Sequence, residues 1–95
     1  MKIRIDSNLV LPGLEGVNEI ELHHTPVNLR MALEELSSRS SGRVQFIRPL
    51  KDFVDQRDFL IEINGLSNPG SREALETSLN DGDTVAIRVV PLGGG

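Results

Sequence analysis

Hydrophobic and polar positions alternate near both ends of the chain and fall on a helical stripe between them. Met1, Ile3 and Ile5 are interleaved with Lys2 and Arg4, the period-two pattern of a half-buried strand within residues 1–10. Leu11-Pro12-Gly13-Leu14-Glu15-Gly16 reads as a turn, and alternation resumes from Val17 to Leu22 with Ile20 and Leu22 inward and Glu19 and Glu21 outward. The two strands are expected to form an antiparallel hairpin. Its solvent face would set Lys2 and Arg4 opposite Glu19 and Glu21, worth about 0.2–1 kcal/mol per cross-strand pair.

Thr25-Pro26 then reads as a helix start, with threonine as cap and proline at the first helical position, where a missing N–H costs nothing. Leu29, Ala32, Leu33 and Leu36 form one apolar stripe, widened by Val27 and Met31, while Arg30, Glu34 and Glu35 face solvent. The tract Ser37-Ser38-Arg39-Ser40-Ser41-Gly42 ends the helix at about Ser38. Arg43 to Ile47 suits a short strand stopped by Pro49, and the charged segment from Leu50 to Asp58 suits a helical turn. Phe59 to Ile63 alternates again, with Phe59, Ile61 and Ile63 inward and Leu60 and Glu62 outward, and Asn64-Gly65 closes it with a tight turn. A loop at Asn68-Pro69-Gly70-Ser71 leads to a helix-like run over Arg72 to Leu75. The turn Leu79-Asn80-Asp81-Gly82-Asp83 opens a last strand with Val85, Ile87 and Val89 inward.

One main helix packed across one face of a mixed sheet of four or five strands accommodates this order. With the first strand beside the last, parallel at the sheet centre, the fold is α+β, a β-grasp. The expected division is a folded domain over 1–90 and a flexible tail over 91–95. Outward-facing Leu60, Ala86 and Val90 would leave an apolar patch on the open sheet face near that tail, a candidate partner surface.

Composition narrows the function classes. The 95 residues are 38% hydrophobic and 25% charged, as in an ordinary globular domain. No run approaches the ~20 apolar residues of a membrane span, and the alternating start does not suit a signal peptide, so the cytosol is the expected compartment. With no cysteine, a disulfide scaffold, a thiolate nucleophile and a cysteine-ligated metal are excluded within the chain. A net charge of −4, with neither tryptophan nor tyrosine, argues against nucleic acid and suits basic protein partners.

Candidate chemistry is sparse. Neighbouring residues in a strand point to opposite faces, so His23 and His24 do not share one ion, and no metal site is expected. Asp81 and Asp83 flank a glycine in a turn, and Glu34-Glu35 lies on the solvent face of the helix; neither pair is read as an acid/base site. The distinctive feature is the border at the C-terminal end, where Val85-Ala86-Ile87-Arg88-Val89-Val90 passes through one proline into Leu92-Gly93-Gly94-Gly95. Extended, residues 91–95 reach roughly 16 Å at about 3.3 Å per residue, thin enough to enter a partner's channel.

These residues carry a resemblance. Ile61-Glu62-Ile63-Asn64-Gly65, then Leu79-Asn80-Asp81-Gly82-Asp83-Thr84-Val85, then Val90-Pro91-Leu92-Gly93-Gly94-Gly95 resemble the ThiS/MoaD family of ubiquitin-like sulfur carriers. That family has a strand ending in Val-Asn-Gly, an Asp-Gly-Asp-x-Val turn and a terminus near Pro-Pro-Val-x-Gly-Gly. The chain departs from the pattern at Val90, which stands in place of the first proline, at the additional Gly93, and in the longer stretch from Ser37 to Asp58. Its length is most similar to molybdopterin synthase small subunits, or to carriers serving cysteine synthesis.

The resemblance implies a protein cosubstrate with no bound cofactor, not an enzyme. An activating enzyme of the ubiquitin-activating type would join the Gly95 carboxylate to the α-phosphate of ATP, using magnesium. Sulfur from a donor would then replace AMP to leave a thiocarboxylate. The tail Pro91-Leu92-Gly93-Gly94-Gly95 would carry it into a synthase large subunit or another acceptor enzyme, for molybdopterin or, after it, thiamine or cysteine. Two alternatives use the same residues differently: a ubiquitin-like modifier conjugated to lysines, and a non-catalytic β-grasp binding module with an incidental glycine end.

Overall fold

A computed structural model describes residues 1–8, 13–23, 25–47 and 52–90. The first strand, β1 (Lys2–Ser7), buries Ile3 and Ile5 on one side. It pairs antiparallel with β2 (Glu19–Glu21) in the register Lys2↔Glu21, Ile3↔Ile20, Arg4↔Glu19. The opposed charges are therefore on one face as expected, and Lys2 Nζ lies 4.0 Å from the Glu19 carboxylate. Both groups are well exposed, so the pair contributes little.

The helix begins later than the sequence suggests. Val27 and Asn28 form a short strand, β3, antiparallel to β6 (Ser78–Leu79), with Val27 opposite Leu79. Val27 is thus extended and buried, so Thr25 does not cap the helix. Asn28 does: it holds β-region angles, and its side-chain oxygen accepts the Met31 N–H at 3.0 Å. The helix α1 (Leu29–Arg39) buries Leu29, Ala32, Leu33 and Leu36, the stripe anticipated from its spacing. Leu29 N–H also donates to Thr77 C=O at 3.0 Å, fastening the helix start to the segment before β6.

Ser40 ends the helix and is itself buried, its hydroxyl donating to Ser37 C=O at 2.7 Å and accepting the Val44 N–H at 3.1 Å. The strand anticipated over Arg43 to Ile47 is not formed. Val44 and Phe46 are buried with Gln45 exposed between them, so side-chain burial alternates, but among the described residues no neighbouring strand supplies a ladder. Phe46 instead packs on Phe59 at a centroid distance of 5.0 Å, tilted by 59°.

The remaining strands are β4 (Phe59–Ile63), β5 (Leu66–Asn68) and β7 (Thr84–Val89), with a 3₁₀ turn at Ala74–Glu76 that overlaps the helix-like run expected over Arg72 to Leu75. Asn64 and Gly65 join β4 to β5 with φ of 51° and 84°, the left-handed pair of a two-residue hairpin turn. The main sheet has the order β2-β1-β7-β4-β5, with β1 and β7 parallel and the other neighbours antiparallel. This five-stranded mixed sheet under one helix is the β-grasp fold. Ile3, Ile20, Ile61, Val85 and Ile87 from the sheet meet the helix stripe in one core, each full burial contributing about 1.5–3 kcal/mol. The consequence for function is the place of β7: the strand leading to the C-terminal residues is the centre of the sheet.

Candidate functional site

The turn before β7 is built by side-chain oxygens. The Asp81 carboxylate accepts the Lys2 N–H at 2.7 Å, and the Asp83 carboxylate accepts the Asn80 N–H at 2.7 Å and an Asn64 amide hydrogen at 3.1 Å. The Asn64 side-chain oxygen in turn accepts the Thr84 N–H at 2.9 Å. Both aspartates are thus spent on holding turns together, in keeping with their reading as turn residues.

At the other end of β7 both flanks of the backbone are held. Where β1 stops, the side chain of Asn8 takes over its place beside β7. Its oxygen accepts the Val89 N–H at 2.8 Å, and its amide nitrogen donates to the Val89 C=O at 3.4 Å. On the opposite flank Val90 N–H donates to Asp58 C=O at 3.0 Å. That carbonyl is presented by a turn in which the N–H groups of Asp58 and Phe59 donate to Asp55 C=O at 2.9 and 3.1 Å. The largely buried Asp55 carboxylate organises the turn, accepting Arg57 N–H at 2.9 Å and the Arg57 guanidinium at 3.2 and 3.0 Å. Hydrogen bonding and charge attraction from Asp55 hold the Arg57 guanidinium above its usual pKa. The next residue, Pro91, has no N–H. Val90 is the last described residue of the chain; the expected tail residues Pro91, Leu92, Gly93, Gly94 and Gly95 lie outside the described residues.

The open sheet face is less apolar than expected. In the register of the sheet, Ala86 lies opposite Asp6 on one side and Glu62 on the other, and Leu60 lies opposite Arg88. Ala86 is only 6% exposed, because a methyl group in the central strand is shaded by the longer flanking side chains. Leu60 is 45% exposed and Val90 is half-buried. The anticipated patch of Leu60, Ala86 and Val90 therefore reduces to one exposed leucine on a charged surface with a buried alanine floor. Arg88 reaches the Asp6 carboxylate at 3.5 Å across that surface.

Sequence reasoning missed Asn8 and Leu66. Asn8 carries no local signal, since its partner is 81 positions away. Leu66, 75% exposed, lies opposite Ile63 at the sheet edge, where the core no longer reaches it. His23 is exposed and His24 lies outside the described residues; among the described residues no three metal-ligating side chains converge. A second polar cluster braces the helix start: Arg30 binds Asp52 and lies 3.5 Å from Glu76, which also accepts from the Asn28 amide at 3.2 Å. Burial opposes the charge on Arg30, but the two carboxylates outweigh it and raise its pKa. Among the described residues no helix is long and apolar enough to cross a membrane.

No protein-family model and no curated protein matches this chain. Solved structures do match it. The crystal structure of SAMP1 from Haloferax volcanii superposes with a TM-score of 0.69 at 13% identity, covering 100% of both chains. A putative molybdopterin converting factor, subunit 1, from Pyrococcus furiosus superposes with a TM-score of 0.66 at 24% identity, covering 95% of this chain and 98% of that one. At these identities the likeness establishes the fold.

Proposed function

We propose that this chain, which shares its fold with SAMP1 and with a putative molybdopterin converting factor subunit, is a ubiquitin-like sulfur carrier whose reactive group is the carboxylate of Gly95. The observation that carries the reading is the clamped end of the central strand: Val89 and Val90 are held on both flanks, immediately before Pro91-Leu92-Gly93-Gly94-Gly95. A folded domain followed, after Pro91 and Leu92, by three residues without side chains suits delivery of a terminus into a partner's narrow channel. The protein is then a cosubstrate, charged and discharged by its partners, and molybdopterin synthesis is the first pathway to test.

A carboxylate is a poor electrophile and must be activated. One Gly95 oxygen attacks the α-phosphate of ATP on an activating enzyme, and pyrophosphate leaves. Sulfide sulfur then attacks the acyl carbon and AMP leaves, giving a thiocarboxylate. Where the donor is a persulfide, the acyl persulfide formed is cleaved by a thiol, which is oxidised to a disulfide. ATP and magnesium belong to the activating enzyme. The thiocarboxylate sulfur is the nucleophile in the acceptor enzyme. Leu60, with Ala86 beneath the surface and Val90 at the strand end, marks the face proposed to dock on these partners.

The test is ATP–pyrophosphate exchange by the activating enzyme purified from the same host. Exchange that requires this chain and is lost on deletion of Gly94 and Gly95 supports the reading; exchange indifferent to the loss of both glycines overturns it. A second reading takes the fold shared with SAMP1 as that of a ubiquitin-like modifier: the same adenylate would be passed to lysines of other proteins. Branched lysine conjugates in place of a thiocarboxylate would select it.

A further inference from the structure

We infer that Asn8 is a positioning residue for the C-terminal tail, an inference that rests on the function proposed above. β1 pairs with β7 only as far as Ser7↔Ile87. Two residues further along β7, the N–H and C=O of Val89 point to the same side and would face water or an unmatched loop. One primary amide, Asn8, meets both, as acceptor at 2.8 Å and donor at 3.4 Å, so a side chain imitates the missing backbone of a neighbouring strand. Val90 N–H is taken by Asp58 on the opposite flank. The ladder is thereby carried to the residue before Pro91, which cannot extend it.

The effect is to fix where, and in which direction, the chain leaves the sheet. Without Asn8 the last residues of β7 fray, and every residue beyond them starts from a variable origin. For a tail of roughly 16 Å, a small angular uncertainty at the base becomes ångströms at the reacting carboxylate, and displacements of about 1 Å can cost up to 10²-fold in rate. Both Asn8 bonds are to the Val89 backbone, so its loss is expected to act on turnover more than on binding.

The experiment uses the full chain with Asn8→Ala and Asn8→Asp, the latter keeping the stronger acceptor bond to Val89 N–H. In Asn8→Ala, amide hydrogen exchange at Val89 should quicken about 10-fold while Val85 and Ile87 are unchanged, since one hydrogen bond is lost. In ATP–pyrophosphate exchange with the host activating enzyme, kcat should fall about 5- to 10-fold with KM within twofold, and Asn8→Asp should recover most of it. Unchanged exchange at Val89 overturns the clamp, whatever the protein does. Faster exchange at Val89 with unchanged kcat, or a rise in KM alone, overturns the positioning role. If the wild-type chain supports no ATP–pyrophosphate exchange, the proposed function fails and the positioning role with it, while the amide exchange still reports whether the clamp exists.

Discussion

Asn64 and Asp83 hold each other across the joint between the β4–β5 turn and the start of β7, the Asn64 amide donating to the Asp83 carboxylate at 3.1 Å. The same two side chains also satisfy the N–H groups of Thr84 and Asn80. Asp83→Ala removes an acceptor with two partners and is expected to destabilise the fold by about 1–3 kcal/mol, measured by urea unfolding. Activation at Gly95 should proceed at the wild-type rate in the folded fraction. A large loss of rate without loss of stability would instead make Asp83 part of a reacting site.

The helix cap provides a second test. Asn28→Ala removes the bond to Met31 N–H and the Asn28–Glu76 hydrogen bond together. The first of these should cost about 1 kcal/mol, and the exposed second one should add little. Thr25→Ala, at an exposed position that does not cap the helix, should fall within about 0.5 kcal/mol of wild type. Thermal unfolding of the two variants side by side checks the order; equal losses would contradict the observed helix start.

Gly70 and Gly16 share positive φ, 70° and 80°, but differ in their surroundings. A Cβ on Gly70 would stand 2.7 Å from Val54 Cβ, whereas one on Gly16 meets nothing within 4 Å. Val54 is buried and is tied to the same residue by its N–H on Gly70 C=O at 2.8 Å, so it cannot easily retreat. Gly16→Ala should therefore cost only the conformational penalty, about 1–2 kcal/mol. Gly70→Ala should cost at least about 1 kcal/mol more, lowering Tm by a further 4–8 °C in a domain of this size.

Leu60 separates docking from chemistry. Leu60→Asp places a charge on an already solvated face beside Arg88 and should leave Tm within about 2 °C, in the range of surface substitutions. In ATP–pyrophosphate exchange it should raise KM about 10-fold with kcat little changed, the reverse of the pattern expected for Asn8→Ala. An unaltered KM would remove this face from the docking surface.

Much of the fold was legible because it is written in local periodicity. The β1–β2 register follows from alternating charges on Lys2, Arg4, Glu19 and Glu21, and the helix stripe from Leu29, Ala32, Leu33 and Leu36. The misreadings have a common physical origin. Val44 and Phe46 alternate like a strand because burial alternates, yet a strand also needs a neighbour, which residue spacing does not reveal. β3 and β6 are two residues each and exist only through pairing across some fifty positions of sequence, so neither has a period to detect. Ala86 looked like part of a patch because alternation gives the face of a residue, not the length of its neighbours' side chains. Asn8 was invisible for the same reason: its role lies in what it meets, at Val89.

The Gly95 carboxylate is the group on which the proposed function turns, and intact-mass spectrometry reads it directly. The protein is isolated from its own host and incubated with ATP, magnesium and host extract. The expected result is a mass gain equal to one oxygen replaced by sulfur, absent when Gly94 and Gly95 are deleted. An unchanged mass under every condition, or a product consisting only of lysine-linked conjugates, would contradict it.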